Sequence, residues 1–387
     1  MARLGDICEV LNGYAFKSEK YTSSGVRIIR IANVQKGYIE DTAPAFYPID
    51  TTDIEKYTLY EDDLLISLTG NVGRVALLKK EFLPAALNQR VACLRLKDSA
   101  QYDKSFLYCF LNSDYFENKC IQSAKGVAQK NMSIEWLKEY QIPNLSLVEQ
   151  KEIAAVLNKI SELISARTMQ LSKMDMFVKS RFIELFGMPG TDAFGWGLVP
   201  LGSTCNINPK KSLDSRLVSG AVVSFVPMPA VTEHGEIDAT AIKEYDEVKT
   251  GFTYFAENDV LFAKITPCME NGKGAVAKGL HNGIGFGSTE FHVLRPISGK
   301  TDPYWIYTLT AFSQFRMNAA SNMTGSAGQR RVPASFLENY RVSLPPIALQ
   351  EQFAAFVEQT DKSKLAIQQS LEKLETLKKA LMQQYFG

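Results

Sequence analysis

Two long stretches of the chain show a regular alternation of apolar and polar positions. They span 146–187 and 349–387, and both end on Phe-Gly. In each, mostly apolar residues recur at alternating steps of four and three, the spacing that places them along one side of an α-helix. These seam positions are Ile153, Leu157, Ile160, Ile164, Arg167, Leu171, Met174, Val178, Arg181 and Leu185 in the first stretch, and Phe353, Val357, Thr360, Lys364, Ile367, Leu371, Leu374, Lys378, Leu381 and Tyr385 in the second. The pattern predicts two helices, each roughly 60 Å long, that pack along their length and act as a spacer.

Capping residues mark the ends of the first helix. Ser146, with Glu149 three residues later, forms the capping-box pattern of a helix start. Gly187, followed by Met188-Pro189-Gly190, predicts the helix end and the start of a linker that runs to about Pro200. The pair Glu149-Gln150 is matched with Glu351-Gln352 at the start of the second helix.

Ahead of each long helix, short apolar segments bounded by turn residues predict strands. These are 27–34, 64–68, 74–78 and 90–96 in the first half, and 222–226, 259–265, 275–277 and 289–294 in the second. Helices are predicted at 105–120 and 133–140, and again at 304–320 and 333–340. Strands followed by helices are typical of an α+β fold.

The two halves of the chain repeat each other at an offset of about 200 residues. Matching segments follow the same order, among them Leu4-Gly5-Asp6-Ile7-Cys8 with Leu201-Gly202-Ser203-Thr204-Cys205, Glu61-Asp62-Asp63-Leu64-Leu65 with Glu257-Asn258-Asp259-Val260-Leu261, and Gln129-Lys130 with Gln329-Arg330. Chance would produce one or two such matches and not an ordered series. The chain is therefore predicted to be a tandem of two globular-plus-helix units, with globular domains at 1–145 and 188–345 and long helices at 146–187 and 346–387.

Composition and charge narrow the class of protein. At 387 residues the chain has room for two or three domains, and its 45% hydrophobic content is typical of globular proteins. The absence of a long apolar run and of a signal-peptide pattern predicts a cytoplasmic protein. The six cysteines are scattered without metal-ligand spacing, which argues against zinc and against a disulfide framework. With a net charge of +1, any basic surface must be local and balanced by acidic surface elsewhere.

The sequence contains no recognisable catalytic set. Gly70-Asn71-Val72-Gly73-Arg74 and Gly272-Lys273-Gly274 lack the spacing of phosphate-binding loops and are interpreted as turns between strands. No nucleophile motif accompanies the three histidines, and His292 lies in a strand pattern. Asp62-Asp63 adjoins a strand and is expected to cap a turn. The chain is therefore predicted to be a binding protein.

Basic and amide residues in glycine-containing loops are the candidates for binding. Loop 123–131 contains Lys125, Gln129, Lys130 and Asn131, and loop 324–331 contains Gln329, Arg330 and Arg331, without an acidic residue in either. Arg and Lys bind phosphate and guanine edges, whereas Gln and Asn pair with adenine. One such loop alone could equally be a solvated surface loop, but its recurrence in both halves favours DNA binding. Further candidates are Asn71 and Arg74 in the first half, with Asn271 and Lys273 as their counterparts in the second half, and Lys17, which follows Gly13. Each of these could instead belong to a surface turn.

The tandem plan resembles the specificity (S) subunit of type I restriction-modification systems over essentially the whole chain. The resemblance is carried by Asn12-Gly13-Tyr14-Ala15-Phe16-Lys17-Ser18, Asp63-Leu64-Leu65-Ile66-Ser67 with Gly70 and Gly73, Asp259-Val260-Leu261-Phe262-Ala263-Lys264, Ser288-Thr289-Glu290-Phe291-His292-Val293-Leu294-Arg295-Pro296, and Leu344-Pro345-Pro346 with Leu349-Gln350-Glu351-Gln352. Single motifs are degenerate, whereas the ordered set, present twice, is specific. Lys264, at the end of one motif, joins the candidate DNA-binding residues.

The resemblance implies two target-recognition domains, each docking its loops in the DNA major groove over one half of a bipartite site. The long helices would pair as an antiparallel coiled coil with pseudo-two-fold symmetry and fix the unread spacer. The expected partners are double-stranded DNA, two methylation (M) subunits and restriction (R) subunits. No association with a membrane is expected. The chain itself would be non-catalytic, because S-adenosylmethionine, ATP and magnesium would belong to the partner subunits. The N-terminal helical extension of some relatives is expected to be absent or very short.

Two other functions stay open at the level of sequence. The chain could be the recognition part of a related methyltransferase system, although it lacks a cofactor-binding glycine motif and an N/D-P-P-Y/F tetrapeptide, to which Asn208-Pro209-Lys210-Lys211 is the nearest approach. It could also be a coiled-coil scaffold without a DNA role. A scaffold would account for the long helices but not for basic loops that recur in both halves.

Overall fold

The computed structural model describes residues 1–49, 52–97, 102–124, 130–211, 214–326 and 328–387. The chain forms two compact units. Unit 1 consists of Met1–Arg167 together with Ser370–Gly387, and unit 2 consists of Thr168–Gln369. Each unit therefore contains one globular half of the chain and a part of each long helix.

In the described part of unit 1, short strands form two four-stranded sheets and one two-stranded pair. The strands are β1 (Ala2–Arg3), β2 (Cys8–Asn12), β3 (Val26–Ile29), β4 (Phe46–Tyr47), β5 (Thr58–Leu59), β6 (Leu64–Ser67), β7 (Val75–Leu77), β8 (Ala85–Leu87), β9 (Val91–Leu96) and β10 (Gln141–Ile142). The first sheet has the order β2-β9-β6-β7 and is antiparallel. The second has the order β4-β3-β8-β5, with β3 and β8 parallel, and β1 pairs with β10. The helices are α1 (Leu4–Ile7), α2 (Lys104–Leu111), α3 (Asp114–Ser123), α4 (Ile134–Glu139) and the long α5 (Leu147–Phe186).

Unit 2 repeats this plan strand for strand. Its strands are β11 (Leu198–Pro200), β12 (Cys205–Ile207), β13 (Val222–Val226), β14 (Ile242–Glu244), β15 (Thr253–Ala256), β16 (Val260–Ala263), β17 (Gly274–Val276), β18 (Ile284–Gly287), β19 (Phe291–Pro296) and β20 (Arg341–Ser343). The sheet orders are β12-β19-β16-β17 and β14-β13-β18-β15, with β13 and β18 parallel, and β11 pairs with β20. The helices are α6 (Tyr245–Val248), α7 (Pro303–Ala311), α8 (Ser313–Ser321), α9 (Ala334–Asn339) and the long α10 (Ile347–Phe386). The shared topology confirms the internal repeat.

The first sheet of each unit is covered on both faces. In unit 1, Leu64 and Ile66 of β6 contribute to a core shared with the helices, whereas Leu65 packs with Ile29 and Leu87 of the second sheet. Successive side chains of a strand point to opposite faces, so an unbroken apolar run fits a strand that is buried on both sides. Unit 2 divides β16 in the same way.

Several predicted elements are shorter than the sequence pattern indicates. The predicted strand 27–34 is wrong beyond Ile29, because Ile31–Asn33 forms a 3-10 turn in which Asn33 Oδ1 accepts from Arg30 N at 2.9 Å. The predicted helix 105–120 is two helices, since the first ends at Leu111 and Ser113 caps the second by accepting from Phe116 N at 3.1 Å. The helix predicted at 304–320 is likewise divided, at Phe312.

The long helices follow the predicted seam. Every seam position of α5 and α10 is buried or half-buried. The capping box is present, with Ser146 N donating to Glu149 Oε2 at 2.9 Å and Glu149 N donating to Ser146 Oγ at 3.3 Å. Gly187 ends α5 with a φ of +78°, the left-handed conformation that favours glycine after a helix. Among the described helices, none is long and apolar enough to cross a bilayer.

Within unit 2, α5 and α10 run antiparallel. The ring centroids of Phe182 and Phe353 lie 5.5 Å apart, and those of Phe177 and Phe356 lie 5.1 Å apart. Further along, Lys364 Nζ lies 2.6 Å from Asp175 Oδ1. Residue numbers fall along α5 as they rise along α10, which confirms antiparallel packing in this unit.

The register of the repeat at the helix starts differs from the predicted match of Glu149-Gln150 with Glu351-Gln352. Gln150 Oε1 accepts from Asp103 N at 2.8 Å, and Gln350 Oε1 accepts from Asp302 N at 2.9 Å. Both glutamines are fully buried and tie the start of a long helix to the start of α2 or α7. Gln350, two residues before Gln352, is therefore the counterpart of Gln150, and the predicted match is wrong by two residues.

Candidate nucleic-acid interface

In unit 1, the turn after β6 and the segment before α4 form a common loop surface. Gly70 N donates to Lys130 O at 2.9 Å. Thr69 and Asn131 form an antiparallel β-bridge, and the Thr69 hydroxyl donates to Asn131 Oδ1 at 3.1 Å. Two of the loop regions predicted to bind DNA are thus held side by side although they are far apart in the chain.

Unit 2 holds the equivalent loops in the same way. Thr266 N donates to Arg330 O at 3.0 Å, and Ile265 and Arg331 form the corresponding antiparallel β-bridge. The loop itself is closed by a second bridge, between Thr324 and Arg331. The repeat therefore presents the same pair of loops on each unit, with different side chains at equivalent backbone positions.

The predicted residues of unit 1 differ in their surroundings. Lys17, Asn71, Lys130 and Asn131 are exposed, and Lys125 and Gln129 lie outside the described residues. Arg74 is half-buried, and its guanidinium donates to Gln35 Oε1. The loop contacts bring Lys130 and Asn131 to the turn that contains Asn71. Lys17 lies on a different loop, just before a 3-10 turn at Ser18–Lys20.

In unit 2 the predicted residues form an exposed group and a half-buried group. Asn271, Gln329 and Arg330 are exposed, whereas Lys264, Lys273 and Arg331 are half-buried. Lys273 Nζ donates to Met228 O at 3.4 Å, and Arg330 Nη2 donates to Ala320 O at 2.8 Å. Burial lowers the pKa of Lys264 below its ordinary value; nearby Glu290 opposes this shift and Arg331 adds to it. Lys273 and Arg330 thus donate to backbone carbonyls, and Lys264 lies near the charges of Glu290 and Arg331.

Arg331 forms a two-pronged ion pair with Glu290, the residue just before β19. Arg331 Nε donates to Glu290 Oε2 at 2.9 Å, and Nη2 donates to Oε1 at 2.8 Å. These hydrogen bonds are the main reason that the pKa of Glu290 lies below its ordinary value, so the carboxylate is charged at neutral pH. Glu290 was not predicted, because no local pattern links it to a partner 41 residues away.

A buried arginine supports the neighbouring loop of unit 2. Arg316 of α8 is 5% exposed, and its guanidinium donates to Met269 O at 2.8 Å and to Gly272 O at 3.0 Å. It also donates to Thr310 O at 2.7 Å. Burial lowers the pKa of Arg316 to about 10. Arg316 was not predicted either, since one arginine in a helical pattern gives no sign that it points inward.

His292 has a structural role in the same region. Its Nε2 lies 2.8 Å from Val332 O, and a carbonyl can only accept, so Nε2 carries the proton. Nδ1 then accepts from Asn208 Nδ2 at 3.0 Å. The predicted strand position of His292 is confirmed. In the described part of the chain, no group of three or more His, Cys, Asp or Glu side chains is arranged to hold a metal ion.

Comparison with known families decides what these units are. The model of the type I restriction modification DNA specificity domain matches the chain twice, at residues 1–173 and 195–378. The chain belongs to this family. The first match covers the globular half of unit 1 and the second match covers the globular half of unit 2.

Two curated members of the family from Escherichia coli are similar to part of the chain. The specificity subunit of the type I restriction enzyme EcoEI is 43% identical over 153 residues, which is 39% of this chain and 25% of that protein. The specificity subunit of EcoAI is 41% identical over 159 residues, or 41% of this chain and 26% of that protein. The matches thus span about a quarter of the length of each of these relatives.

A solved structure extends the likeness in fold to the whole chain. The S subunit of a type I restriction-modification system from M. genitalium superposes with a TM-score of 0.58 at 16% identity, covering 100% of this chain and 95% of that one. At this identity the likeness concerns the fold alone. It confirms the tandem α+β architecture with a long central and a long C-terminal helix.

Proposed function

We propose that this chain is the DNA-specificity subunit of a type I restriction-modification system, and that it binds a bipartite site in double-stranded DNA. Each globular domain, 1–145 and 188–345, recognises one half-site. The long helices, 146–187 and 346–387, set the length of the unread spacer. The observation that carries the proposal is the recurrence of the same bridged loop pair in both units, with basic or amide residues on it each time.

The side chains on these loops suit both parts of DNA recognition. Exposed cations such as Lys130 and Arg330 can neutralise phosphates, and amide groups such as Asn131 and Gln329 can pair with base edges. The β-bridges restrict the backbone, which lowers the conformational entropy lost on binding. With a net charge of +1 the chain has little excess positive charge of its own, so partner subunits would contribute to phosphate neutralisation.

In this proposal the chain provides the DNA specificity of a larger enzyme. Two methylation subunits and the restriction subunits assemble with it, and they contribute S-adenosylmethionine, ATP and magnesium chemistry. The relatives named above are themselves subunits of type I restriction enzymes, which supports such an assembly. The protein would act in the cytoplasm, where the genome and the partner subunits are found.

A binding experiment tests the proposal directly. The chain is combined with its methylation partner, and gel shift is measured on duplexes from the host genome, with the partner alone and the chain alone as controls. The expected result is a shift that requires this chain. Absence of duplex binding by the reconstituted complex would exclude the proposal.

The loop of unit 2 allows a finer test. Replacing Gln329, Arg330 and Arg331 together by Ala is expected to abolish methylation at sites that contain the half-site of unit 2, because groove contacts and phosphate contacts are lost at once. Single-molecule sequencing of host DNA measures the outcome. Unchanged methylation would show that this loop does not contact DNA.

A further inference from the structure

The backbone of Arg331 is held on both sides. Arg331 N donates to Thr324 O at 2.8 Å, and Thr324 N donates to Arg331 O at 2.9 Å. On the other side, Ile265 pairs with Arg331, and Val332 N donates to Lys264 O at 2.9 Å. Arg331 thus occupies the middle of a small three-stranded arrangement, which gives its side chain a defined origin.

The side chain is oriented as well. Of the five N–H groups of its guanidinium, Nε and one on Nη2 are taken by Glu290, at 2.9 and 2.8 Å, and one on Nη1 is taken by Gln329 O at 2.9 Å. Glu290 occupies the edge that includes Nε, so one N–H group remains unused on each terminal nitrogen, Nη1 and Nη2. The side chain is 40% exposed, so it is accessible to a ligand.

We propose that Arg331 recognises a guanine in the half-site of unit 2 through this terminal pair of N–H groups, and that Glu290 is the positioning residue that aims it. The inference rests on the proposed function and adds to it the identity of one base. Guanine presents two acceptors, O6 and N7, side by side in the major groove, and a two-pronged guanidinium matches them. Adenine offers a donor in place of O6 and would face a donor of Arg331.

The ion pair makes recognition of a base more favourable than contact with a phosphate. Phosphate binding depends mainly on positive charge, and Glu290 would cancel much of the charge of Arg331. An arginine that recognises a base needs direction, which the two hydrogen bonds to Glu290 provide. Exposed Arg330, with no carboxylate partner among the described residues, is better suited to phosphate.

Unit 1 has a different side chain at the same place. Asn131 occupies the bridge position that Arg331 occupies in unit 2, and it receives a hydrogen bond from Thr69 where unit 2 has the apolar Ile265. Arg90 stands in the sequence where unit 2 has Glu290. The aimed guanidinium is thus a feature of unit 2, which assigns the guanine to one half-site.

The test starts from the site that the wild-type complex with its methylation partner modifies, determined by sequencing modified host DNA. Arg331→Gln is expected to lose the preference for guanine at one position of one half-site by about tenfold or more, with all other positions unchanged. Arg331→Lys should restore part of that preference, since lysine can also contact the guanine edge. Glu290→Gln should weaken the preference for guanine at the same position. Arg341→Gln is the matched control for Arg331→Gln, because it makes the same change at the exposed end of β20.

A change in the DNA makes the test independent of protein folding. Duplexes with 7-deazaguanine at the assigned position lack N7 and should bind the wild-type complex several-fold more weakly, while Arg331→Gln should show no such difference. An equal loss of affinity for all four bases in Arg331→Gln, or no effect of 7-deazaguanine at any guanine, would overturn the assignment. An unchanged base preference in Glu290→Gln would overturn the positioning role. A wild-type complex that binds no duplex would instead contradict the proposed function.

Discussion

At the residue level, one aspartate in each unit fixes the turn that precedes an inner strand of the first sheet, β6 in unit 1 and β16 in unit 2. Asp63 Oδ2 accepts from Tyr60 N at 2.8 Å, and both of its oxygens accept from Arg95, at 2.8 and 2.7 Å. Asp259 does the same with Ala256 N and Arg295, all at 2.7 Å. The expectation that Asp62-Asp63 caps a turn is confirmed for Asp63. These aspartates hold the strands whose ends carry the candidate DNA-binding loops.

Removing one of these carboxylates should destabilise the fold. Asp259 is 1% exposed, so Asp259→Ala leaves the backbone N–H of Ala256 and the half-buried Arg295 without their acceptor. The expected loss in the free energy of unfolding is about 3 kcal/mol. Urea denaturation measures it, with Asp238→Ala, a change at an exposed position, as the control. A loss no larger than that of the control would contradict the role given to Asp259.

His292 should make the stability of unit 2 depend on pH. Burial lowers its pKa below the ordinary 6.5; the hydrogen bond to Val332 O and the charge of Glu290 oppose this, and the charge of Lys264 adds to it. The unfolded chain then takes up the proton at a higher pH than the folded chain, so the stabilising contribution is complete above pH 6.5 and is lost as the pH falls through the lowered pKa. The difference in unfolding free energy between wild type and His292→Gln should be larger at about pH 7.5 than at about pH 5.5. Equal differences at the two pH values would mean that His292 does not titrate in this way.

At the level of elements, charged residues interrupt the apolar seam of the long helices. Lys364 is neutralised by Asp175 of α5, at 2.6 Å, and by Asp361 of its own helix, at 3.5 Å. Arg181 pairs with Glu184 of its own helix at 2.8 Å. The contact between Lys364 and Asp175 joins the two helices, so this pair favours one alignment of α5 and α10 within unit 2.

Lengthening both long helices should lengthen the recognised spacer. One heptad inserted between 161 and 173 of α5, with one inserted between 361 and 373 of α10, keeps the seam in phase and adds about 10 Å, or roughly three base pairs of DNA rise. Sequencing of the modified bases gives the new spacer length. A five-residue insertion at the same points is the control, because it rotates the seam by about 140°, out of phase, and should abolish methylation. An unchanged spacer in the heptad variant would refute the spacer role.

At the level of the whole molecule, the repeated and periodic features were predictable and the long-range pairings were not. The seam, the capping box and the order of the repeat follow from local spacing, and the structure confirms them. Of the second sheet in each unit only β3 and β13 were predicted, since strands such as β4 and β5 have only two residues and too few positions to show an alternation. The bridge of Thr69 to Asn131 was equally out of reach, because its partners are 62 residues apart.

The same limit applies to the candidate site. Residue type and loop composition placed basic and amide residues on the loops, and the structure brings several of them together. Their orientation depends on Glu290, Gln35 and Arg316, which lie on other elements and show no local motif. The residue types of the candidate site can thus be predicted from the loop sequences, whereas the orientation of their side chains depends on the surrounding fold.

The division of the chain into two units predicts which unit a substitution near residue 387 destabilises. Phe386, 5% exposed, packs edge-on against Phe106 and Phe110 of α2, with ring centroids 5.7 and 5.3 Å away. Phe386→Ala should therefore cost about 3 kcal/mol in unit 1 although the substitution lies next to the last residue of the chain. Hydrogen exchange should become faster in α2 and stay unchanged in α7 of unit 2.

Phe353→Ala is the matched variant, and it should destabilise unit 2 and not unit 1. Phe353 is fully buried in unit 2, with its ring centroid 5.5 Å from that of Phe182 and 5.4 Å from that of Phe186. Phe353→Ala should accelerate exchange in α7 and leave α2 protected. If either substitution accelerated hydrogen exchange equally in α2 and α7, the two units would unfold as one. Changes in one unit could then not alter the recognition of one half-site independently of the other. Separate responses would mean that each unit keeps its own stability while the long helices connect them.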